Sequence, residues 1–342
     1  MQVTTIGLDL AKNLFQVHAV DGDGQVVVRR RLARAEVVPF FATLAPCRIG
    51  VEACGTAHYW ARELIALGHE VRLMPAAYVK PYVKRGKNDA ADAEAICEAV
   101  TRPTMRFVPV KSAEAQSVLM VHRTRDLLVR QRTMLVNALR GHLAELGIVA
   151  AQGIAKVTQL AAIVFDEAEG RLPIFARQAL QALVTEIRDV QARIATLEAK
   201  LVAWCRRDDA SRRLATIPGV GPITATAMAA TVTDPSCFSS GRQLAAWLGL
   251  VPRQNSSGGK QRLAGISKQG DRYLRRLLVV GARTVIRYAR SQAPVGAPWI
   301  AALLGRRPAL VAAVALANKM ARIAWAILAR GDVYRPAAAA SN

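Results

Sequence analysis

Four acidic side chains near the amino terminus stand in settings that would bring them together. The apolar stretches Thr5-Ile-Gly-Leu-Asp9 and Arg48-Ile-Gly-Val-Glu52 each predict a strand that ends on a carboxylate. Asp89 and Asp92 follow in a helix-prone stretch, where a spacing of three places both on one face. Divalent ions need several hard oxygen ligands, which Asp and Glu supply. We therefore predict that divalent metal is held by Asp9, Glu52, Asp89 and Asp92.

Each of these carboxylates alone has an ordinary structural explanation. Asp9 would be a turn residue, Glu52 a surface charge, and the Asp89 and Asp92 pair a helix start favoured by the helix dipole. Their order of strand, later strand and helix is RNase H-like, and function gathers at the carboxyl ends of strands in such sheets. The combination favours the metal site. Glu94 and Asp21 are nearby alternatives that rank lower.

A second group of residues suited to chemistry lies in the last third of the chain. Ser256 and Ser257 precede two glycines and Lys260, and the segment from Arg253 to Arg290 has ten Lys or Arg and one acid. A nucleophile for phosphoryl transfer needs an exposed oxygen with cations that hold the phosphate. A loop that only grips phosphate explains the same residues equally well. Because no histidine lies in this segment, activation would have to come from metal, a carboxylate or a lysine.

The overall charge points to a polyanionic partner. The 342 residues include 47 Lys and Arg against 25 Asp and Glu, a formal net charge of +22. Such an excess costs self-repulsion in the folded state and is typical of nucleic-acid-binding proteins. A membrane partner is not expected, because no run of about 18 uncharged apolar residues occurs. The five cysteines lack Cys-x-x-Cys spacing, so we expect neither disulfides nor zinc and a cytoplasmic, nucleoid-associated location.

Several basic or glycine-containing stretches are suited to contacting phosphate. The stretch from Tyr78 to Asn88 mixes lysine and arginine with two tyrosines, and Ile217-Pro-Gly-Val-Gly221 resembles the turn of a helix-hairpin-helix. An ordinary tight turn between helices would explain the second stretch as well. The predicted nucleic-acid-binding residues are Lys84, Arg85, Lys87, Gly219, Gly221, Arg253, Lys260, Arg262, Lys268 and Arg272.

The pattern of elements predicts an α/β domain followed by helices. Strands are predicted at 2–9, 15–20, 25–31, 48–53 and 70–74, and helices at 36–44, 57–67 and 89–100. Three antiparallel strands followed by β-α-β units give a mixed sheet with helices packed on it. The chemistry-bearing carboxylates Asp9 and Glu52 then lie at strand ends.

Beyond residue 112 the pattern becomes helical. Two long amphipathic stretches, 113–146 and 175–204, predict a helical hairpin or coiled-coil arm that acts as a spacer and oligomerisation element. Residues 147–171 look less regular. After the Gly219 and Gly221 turn, helices are predicted at 240–248, 270–290, 297–304 and 308–330, with a loop at 249–265.

Five motifs resemble, in their order and spacing, those of the DEDD transposases of bacterial insertion sequences, the IS110 family. Within that family they are most similar to the branch of IS1111. The motifs are Ile6-Gly-Leu-Asp-Leu-Ala-Lys12, Val51-Glu-Ala-Cys-Gly55, Lys87-Asn-Asp-Ala-Ala-Asp92, Ile217-Pro-Gly-Val-Gly221, and Gly249-Leu-Val-Pro-Arg-Gln-Asn-Ser-Ser-Gly-Gly-Lys260 with Gly265-Ile-Ser-Lys-Gln-Gly270. The resemblance covers nearly the whole chain. It implies a RuvC-like domain at 1–108, a helical coiled-coil region at 109–207, and an all-α transposase domain with a helix-hairpin-helix at 208–335.

The resemblance also implies a mechanism. Asp9, Glu52, Asp89 and Asp92 match the family's tetrad for Mg²⁺ or Mn²⁺, and Ser257, with Ser256 as the fallback, matches a serine that forms a covalent phosphoserine with DNA. Implied partners are donor and target DNA, a structured guide RNA of the bridge or seeker type, and further copies in a dimer to tetramer. The alternatives are a metal-dependent, junction-resolving endonuclease whose serine loop only binds DNA, and a non-catalytic nucleic-acid-binding protein.

Overall fold

The computed structural model describes residues 2–84, 88–151, 153, 156–260, 262–291 and 298–335. The chain forms two compact units. The first comprises Met1–Gln116 with Val232–Ser239, and the second comprises Ser117–Thr231 with Ser240–Asn342. The three-part division at 1–108, 109–207 and 208–335 stays a prediction.

A five-stranded mixed sheet is the centre of the first unit. Its strands are β1 (Thr5–Leu10), β2 (Leu14–Val20), β3 (Val26–Ala33), β4 (Arg48–Glu52) and β5 (Glu70–Met74), in the order β3-β2-β1-β4-β5. The first three strands pair antiparallel, and β1, β4 and β5 pair parallel. The predicted mixed sheet is therefore confirmed. Its helices are α1 (Val37–Ala42), α2 (Ala57–Ala66), α3 (Ala76–Val79) and α4 (Asp89–Val100).

Helices cover both faces of this sheet because successive strand residues point to opposite sides. Ile6 and Leu8 of β1 are fully buried in a core that includes Trp60 and Leu64 of α2. Gly7, between them, faces α4. A Cβ on Gly7 would lie 2.5 Å from the backbone nitrogen of Cys97, so only glycine lets α4 pack this closely on β1. Asp9, two residues further along β1, points to the same side as Gly7.

Long helices dominate the second unit. From its start, its elements are α5 (Ala113–Glu145, which begins in the first unit), α6 (Val157–Phe165), α7 (Ile174–Arg207), α8 (Asp209–Leu214), α9 (Pro222–Thr231), α10 (Gly241–Trp247), β6 (Pro252–Gln254), β7 (Leu263–Ile266), α11 (Arg272–Ser291), α12 (Pro298–Leu304) and α13 (Ala309–Arg330). Helix α6 lies inside the stretch that the sequence suggested to be irregular, and β6 and β7 lie in the predicted loop. Both expectations were wrong in this respect.

Helices α5 and α7 form an antiparallel hairpin. Arg125 Nε donates to Glu198 Oε1 at 2.8 Å, and Arg132 further along α5 donates to Gln191, which lies earlier in α7. Their apolar residues pack together within the chain, with Leu139 and Leu143 in one core with α6 and α7. Not every apolar residue of α5 is buried, since Leu127 is about half exposed, whereas the polar His122 is buried. The predicted coiled coil stays a prediction.

Helix α13 is the core helix of the carboxyl-terminal part. Its Ala313, Ala317 and Ala321 are fully buried, and α10 and α11 pack against it. Within the described residues it is the one helix long and apolar enough to cross a membrane, and 44% of that segment is buried inside the protein. Burial in a helical core accounts for its composition equally well.

Candidate active site and nucleic-acid interface

Three of the four predicted metal ligands line one cleft in the first unit. Asp9, Glu52 and Asp92 border a cleft of about 440 Å³, together with Lys80. Asp9 and Glu52 reach it because β1 and β4 are parallel neighbours paired up to Leu8 and Val51, so each carboxylate is the next residue along. Asp92 reaches it because Gly7 admits α4 to the sheet. Asp89 does not line the cleft but lies one turn of α4 away from Asp92.

The amino terminus of α4 is locally specified by its sequence. Asn88 caps the helix in an extended conformation, and its Oδ1 accepts a hydrogen bond from Ala91 N at 2.8 Å. Asp89 and Asp92 occupy the first turn, where the positive end of the helix dipole favours acidic side chains. The cap fixes where the helix begins and thereby which face carries these carboxylates.

The electrostatics of the cleft are those of crowded negative charges. The pKa of Asp9 is raised to about 6, chiefly by burial and then by the charges of Asp92, Asp89 and Glu52. Burial, followed by the charge of Asp92, also raises the pKa of Glu52. The four carboxylates therefore interact electrostatically. Among the residues that the structure describes, however, no three metal-ligating side chains are spaced to hold a metal ion.

The lower-ranked alternatives have other partners. Glu94 forms an ion pair with Lys84. Asp21 Oδ1 accepts hydrogen bonds from Asp23 N at 3.0 Å and Gln25 N at 2.9 Å, which shapes the turn between β2 and β3. Arg85 and Lys87, two predicted phosphate contacts, lie outside the described residues. Lys80, at the rim of the cleft, is a basic residue that the predicted contacts did not include.

The serine loop is a β-hairpin with a tight turn. Lys260 N donates to Ser257 O at 3.1 Å, and the two residues between them have positive φ angles, 55° for Gly258 and 76° for Gly259. Positive φ at both central positions is the type I′ turn that suits two twisted strands, and glycine adopts it without strain. Ser257 is therefore the residue that enters the turn, three residues after β6 ends.

The two serines have different surroundings. Ser256 Oγ accepts a hydrogen bond from Arg262 N at 3.2 Å across the hairpin. The hydroxyl of Ser257 has no such bond to any residue that the structure describes, and the residue is exposed. Ser256 thus helps to hold the two strands together, while Ser257 presents its oxygen to solvent.

Backbone hydrogen bonds close the base of this hairpin. Ser267 N donates to Val251 O at 2.8 Å and Lys268 N to Gly249 O at 3.2 Å. Lys268, a predicted phosphate contact, is the one non-glycine residue with positive φ, 56°, in the described part of the chain. Left-handed backbone at such a residue is strained and often marks a functional position. The predicted contacts Arg253, Lys260, Arg262, Lys268 and Arg272 are all exposed.

The two glycines of the predicted helix-hairpin-helix differ. Gly219 has a φ of 84°, and a Cβ there would lie 2.9 Å from Gly281 O of α11, so this glycine serves packing. Gly221 is exposed, and a Cβ there would meet nothing within 4 Å. Of the pair, Gly221 is the one whose backbone is open to a phosphate.

Two family models match the chain. One, for the DEDD transposases of IS110 and described as a transposase, matches residues 6–148, and the other, described as the transposase IS116/IS110/IS902 family, matches residues 211–295. The first range contains all four carboxylates and the second contains the serine hairpin. These matches indicate a DNA-cleaving and recombining enzyme of the transposase class.

Similar proteins carry the identification further. A probable family 20 transposase of Pseudomonas aeruginosa is 53% identical over 98% of this chain and 100% of its own length. The transposases of insertion sequence elements IS1111A of Coxiella burnetii and IS1328 of Yersinia enterocolitica are 42% and 41% identical, each over 97% of this chain and over 92% and 98% of their own lengths. The chain therefore belongs to the IS110 family of insertion-sequence transposases, as the motifs predicted.

Proposed function

We propose that the protein cuts and rejoins DNA strands through a covalent phosphoserine at Ser257. The observation that supports this most strongly is the hairpin geometry: a type I′ turn presents, among exposed cations, a hydroxyl to which no described residue forms a hydrogen bond. Ser256, whose oxygen accepts the bond from Arg262 N, is tied into the hairpin instead. A loop that only bound phosphate would not need the hydroxyls of two adjacent serines to differ in their hydrogen bonding.

The proposed exchange balances without water. Ser257 Oγ forms a bond to phosphorus as the bond from phosphorus to a deoxyribose oxygen breaks. The serine proton passes to a carboxylate of the cleft, which then gives it to the leaving oxygen. A hydroxyl of the second DNA strand next attacks the phosphoserine and forms the new phosphodiester, and its proton passes through the same carboxylate to the released Ser257 Oγ. No net hydrolysis occurs, because the phosphoserine conserves the bond between the two steps.

The carboxylates of the first unit fit a site for Mg²⁺ or Mn²⁺. Asp9, Glu52 and Asp92 share a cleft, and burial followed by repulsion from neighbouring carboxylates raises the pKa values of Asp9 and Glu52, which a divalent cation would counteract. All-oxygen ligands are the donors that these ions prefer. We propose that these three residues and Asp89 hold the ions. When bound, a divalent ion would polarise the scissile phosphate.

The proposal requires residues of both units in one reaction. The carboxylates belong to the first unit and Ser257 to the second, so one protomer or two must bring them to the same phosphate. We propose that the protein works as a dimer to tetramer. The buried face of α7 is already used within the chain, as Val184 and Ile187 are in the core with α5 and α6. Contacts between copies would then use exposed apolar residues, of which Phe175 is 82% exposed.

The basic surface would position the nucleic acid. Arg253, Lys260, Arg262 and Arg272 are exposed and form no ion pair with any carboxylate in the described ranges, so they are available to phosphate. Lys84 and Lys268, with Arg85, Lys87 and the open backbone at Gly221, complete the proposed contacts. Selection of donor and target DNA would rest on base pairing to a guide RNA, in which case the protein needs no sequence code of its own.

The test is to trap the covalent complex. Purified protein with Mg²⁺ and DNA that carries the element's ends is denatured, and protein-linked DNA is counted on a gel. We expect Ser257→Ala to lose the adduct by at least roughly 1000-fold, as loss of a nucleophile does. Ser256→Ala, the matched control, should retain it with a moderate decrease.

Two outcomes would contradict the proposal. An adduct that persists in Ser257→Ala and disappears in Ser256→Ala would show that Ser256, and not Ser257, is the nucleophile. Hydrolysed ends that form normally in Ser257→Ala but are lost in Asp9→Asn would identify a metal-dependent endonuclease whose serine hairpin only binds DNA.

RNA sequencing of the purified complex tests the proposed guide RNA. Recombination by protein that carries no stoichiometric amount of RNA would exclude the guide.

A further inference from the structure

A large cleft beside the serine hairpin belongs to neither group of site residues. It measures about 1310 Å³ and lies wholly in the second unit, among α10, α12, α13 and the strands of the hairpin. Apolar and aromatic side chains form most of its wall, including Trp299, Leu310, Val314, Trp325 and Ile266. Clefts that hold a drug-sized molecule measure roughly 300–1,000 Å³, so this one has room for more than one such group.

The charged residues that line this cleft are all basic. Arg242, Lys319 and Arg322 line it, and none of its described lining residues is acidic. Lys319 Nζ lies 4.9 Å from the ring centroid of Trp299, whose side chain is 40% exposed. An apolar, aromatic wall with a cationic rim suits a ligand that has a flat apolar face and a negative charge.

The walls of the cleft are preformed. Asn318 Nδ2 of α13 donates to Leu250 O at 3.1 Å, which ties this helix to the chain entering β6. A Cβ on Gly241 would lie 2.8 Å from Arg322 O, so α10 and α13 are in backbone contact. A cleft with fixed walls costs little ordering on binding.

We propose that this cleft binds unpaired nucleobases of the DNA strand that Ser257 attacks, with a base stacked on Trp299. The inference rests on the proposed function of Ser257. Pro252 at the start of β6 lines the cleft, and Ser257 lies five positions further along the chain, a span of at most roughly 18 Å. A strand whose phosphate lies at the hairpin turn therefore reaches the cleft within a few nucleotides. Stacking is tolerant of base identity, so the cleft would hold an opened strand without reading its sequence.

A second copy of the chain is the competing occupant, and the charge argues against it. Each copy carries a formal +22. Packing the cationic rim against another basic surface would add repulsion that a DNA strand removes. The test below separates the two occupants.

The experiment measures stacking in the full-length protein. A short oligothymidylate with one 2-aminopurine is titrated with protein, and quenching of its fluorescence reports contact with an aromatic ring. We expect Trp299→Ala to weaken binding roughly 5- to 150-fold and to abolish the quenching, the range found for loss of one base–aromatic stack. Trp299→Phe should restore most of both. Phe165→Ala, which removes a partly exposed aromatic ring elsewhere in the second unit, should change neither.

A second variant controls for the possibility that Trp299→Ala weakens binding through a folding defect. Val311→Glu places a carboxylate at a half-exposed position of the cleft wall and should also weaken binding. Unchanged quenching in Trp299→Ala and Val311→Glu would overturn the inference. So would a lower mass of DNA-free Trp299→Ala in light scattering, because the cleft would then be an interface between copies.

The adduct assay keeps the two proposals separable. If the wild type forms the Ser257 adduct while quenching is independent of Trp299, the cleft inference alone fails. If quenching depends on Trp299 while no protein forms an adduct, the proposed chemistry alone fails and the cleft remains a base-binding site.

Discussion

The carboxylate cleft of the first unit lies on a buried sheet, whereas the serine hairpin of the second unit is exposed along nearly its whole length. Ile6, Leu8, Ile49 and Val51, the strand residues beside Asp9 and Glu52, are fully buried. On the hairpin, Ile266 is the one strand residue that is partly buried. Packing therefore positions the carboxylates, while only a turn and a few cross-strand hydrogen bonds position the serine.

This difference suggests a division of labour. Groups that hold metal need ligands preorganised by their surroundings, and the glycine-mediated contact of α4 with β1 provides that. A nucleophile that must reach DNA and later release it gains from a segment with few buried contacts, whose local opening is inexpensive. The variants below test whether each region depends on the feature that we assign to it.

The largest effect is expected at Asp9. Asp9→Asn should lower adduct formation by at least about 1000-fold, because it removes the central carboxylate of the proposed metal site. The same change should raise the unfolding temperature of metal-free protein, since it removes a partly buried charge that three neighbouring carboxylates repel. Thermal unfolding with and without Mg²⁺ measures this.

The control is the response to Mg²⁺ itself. Binding to the folded state alone stabilises it, so wild-type protein should melt at a higher temperature in Mg²⁺ and Asp9→Asn should not. Equal shifts in both proteins would mean that the ion binds elsewhere.

The packing of α4 should be the next most sensitive feature. Gly7→Ala would put a Cβ 2.5 Å from Cys97 N and 2.8 Å from Cys97 Cβ, so helix and strand must separate. We expect a destabilisation of about 3 kcal/mol by urea unfolding, typical of overpacking against backbone, and loss of the Mg²⁺ response. Gly55→Ala, next to the same cleft but with open space around it, should be nearly neutral. Similar effects of the two substitutions would show that the contact does not position the site.

The sequence predicted much of the first unit because its signals are local. Short stretches rich in apolar residues indicated β1 to β3, and α4 begins at Asp89 and ends at Val100 as expected. The four carboxylates could be grouped because their strand, later strand and helix occur in an RNase H-like order. That Asp89 lies off the cleft depends on how α4 packs on Gly7, which no local pattern reveals.

The second unit was harder to predict because its decisive interactions join distant residues. The bond from Ser256 Oγ to Arg262 N gives the two serines different surroundings, although they are adjacent in sequence. The buried state of His122 depends on partners about 100 and 150 residues away, and Gly219 depends on Gly281. The Gly258 and Gly259 pair did signal a hairpin turn. The polar residues around it led to the loop prediction instead.

A buried histidine should make the second unit sensitive to acid. His122 is 1% exposed and lies 3.0 Å from both Thr226 Oγ1 and Tyr273 OH. Because Thr226 donates its own hydrogen to Pro222 O, a neutral imidazole that donates from Nε2 and accepts at Nδ1 satisfies the network. Burial and the charge of Arg125 lower the pKa of His122 to about 4.

The sign of the pH effect follows from that lowered pKa. Between pH 6.5 and 4 the unfolded state binds the proton and the folded state does not, so the free energy of unfolding falls as the pH falls. The expected loss is about 2 to 3 kcal/mol, complete near pH 4. His122→Gln, which cannot titrate, should lack this component when urea unfolding is compared with wild type at pH 7 and pH 4.5. Parallel pH dependence in both proteins would assign the acid sensitivity to other groups.

The smallest effect is expected at the hairpin turn, and it separates the two regions most directly. Gly259→Val forces a β-branched residue to a φ of 76°, which costs about 1–2 kcal/mol, so the competent hairpin becomes roughly 5- to 30-fold less populated. Adduct formation should fall by that factor while the unfolding temperature stays unchanged, because few buried contacts depend on the hairpin. Gly258→Asn, which the type I′ turn accepts, should retain activity. A lower unfolding temperature in Gly259→Val would show that the hairpin is packed as firmly as the carboxylate cleft, and the proposed division of labour would then fail.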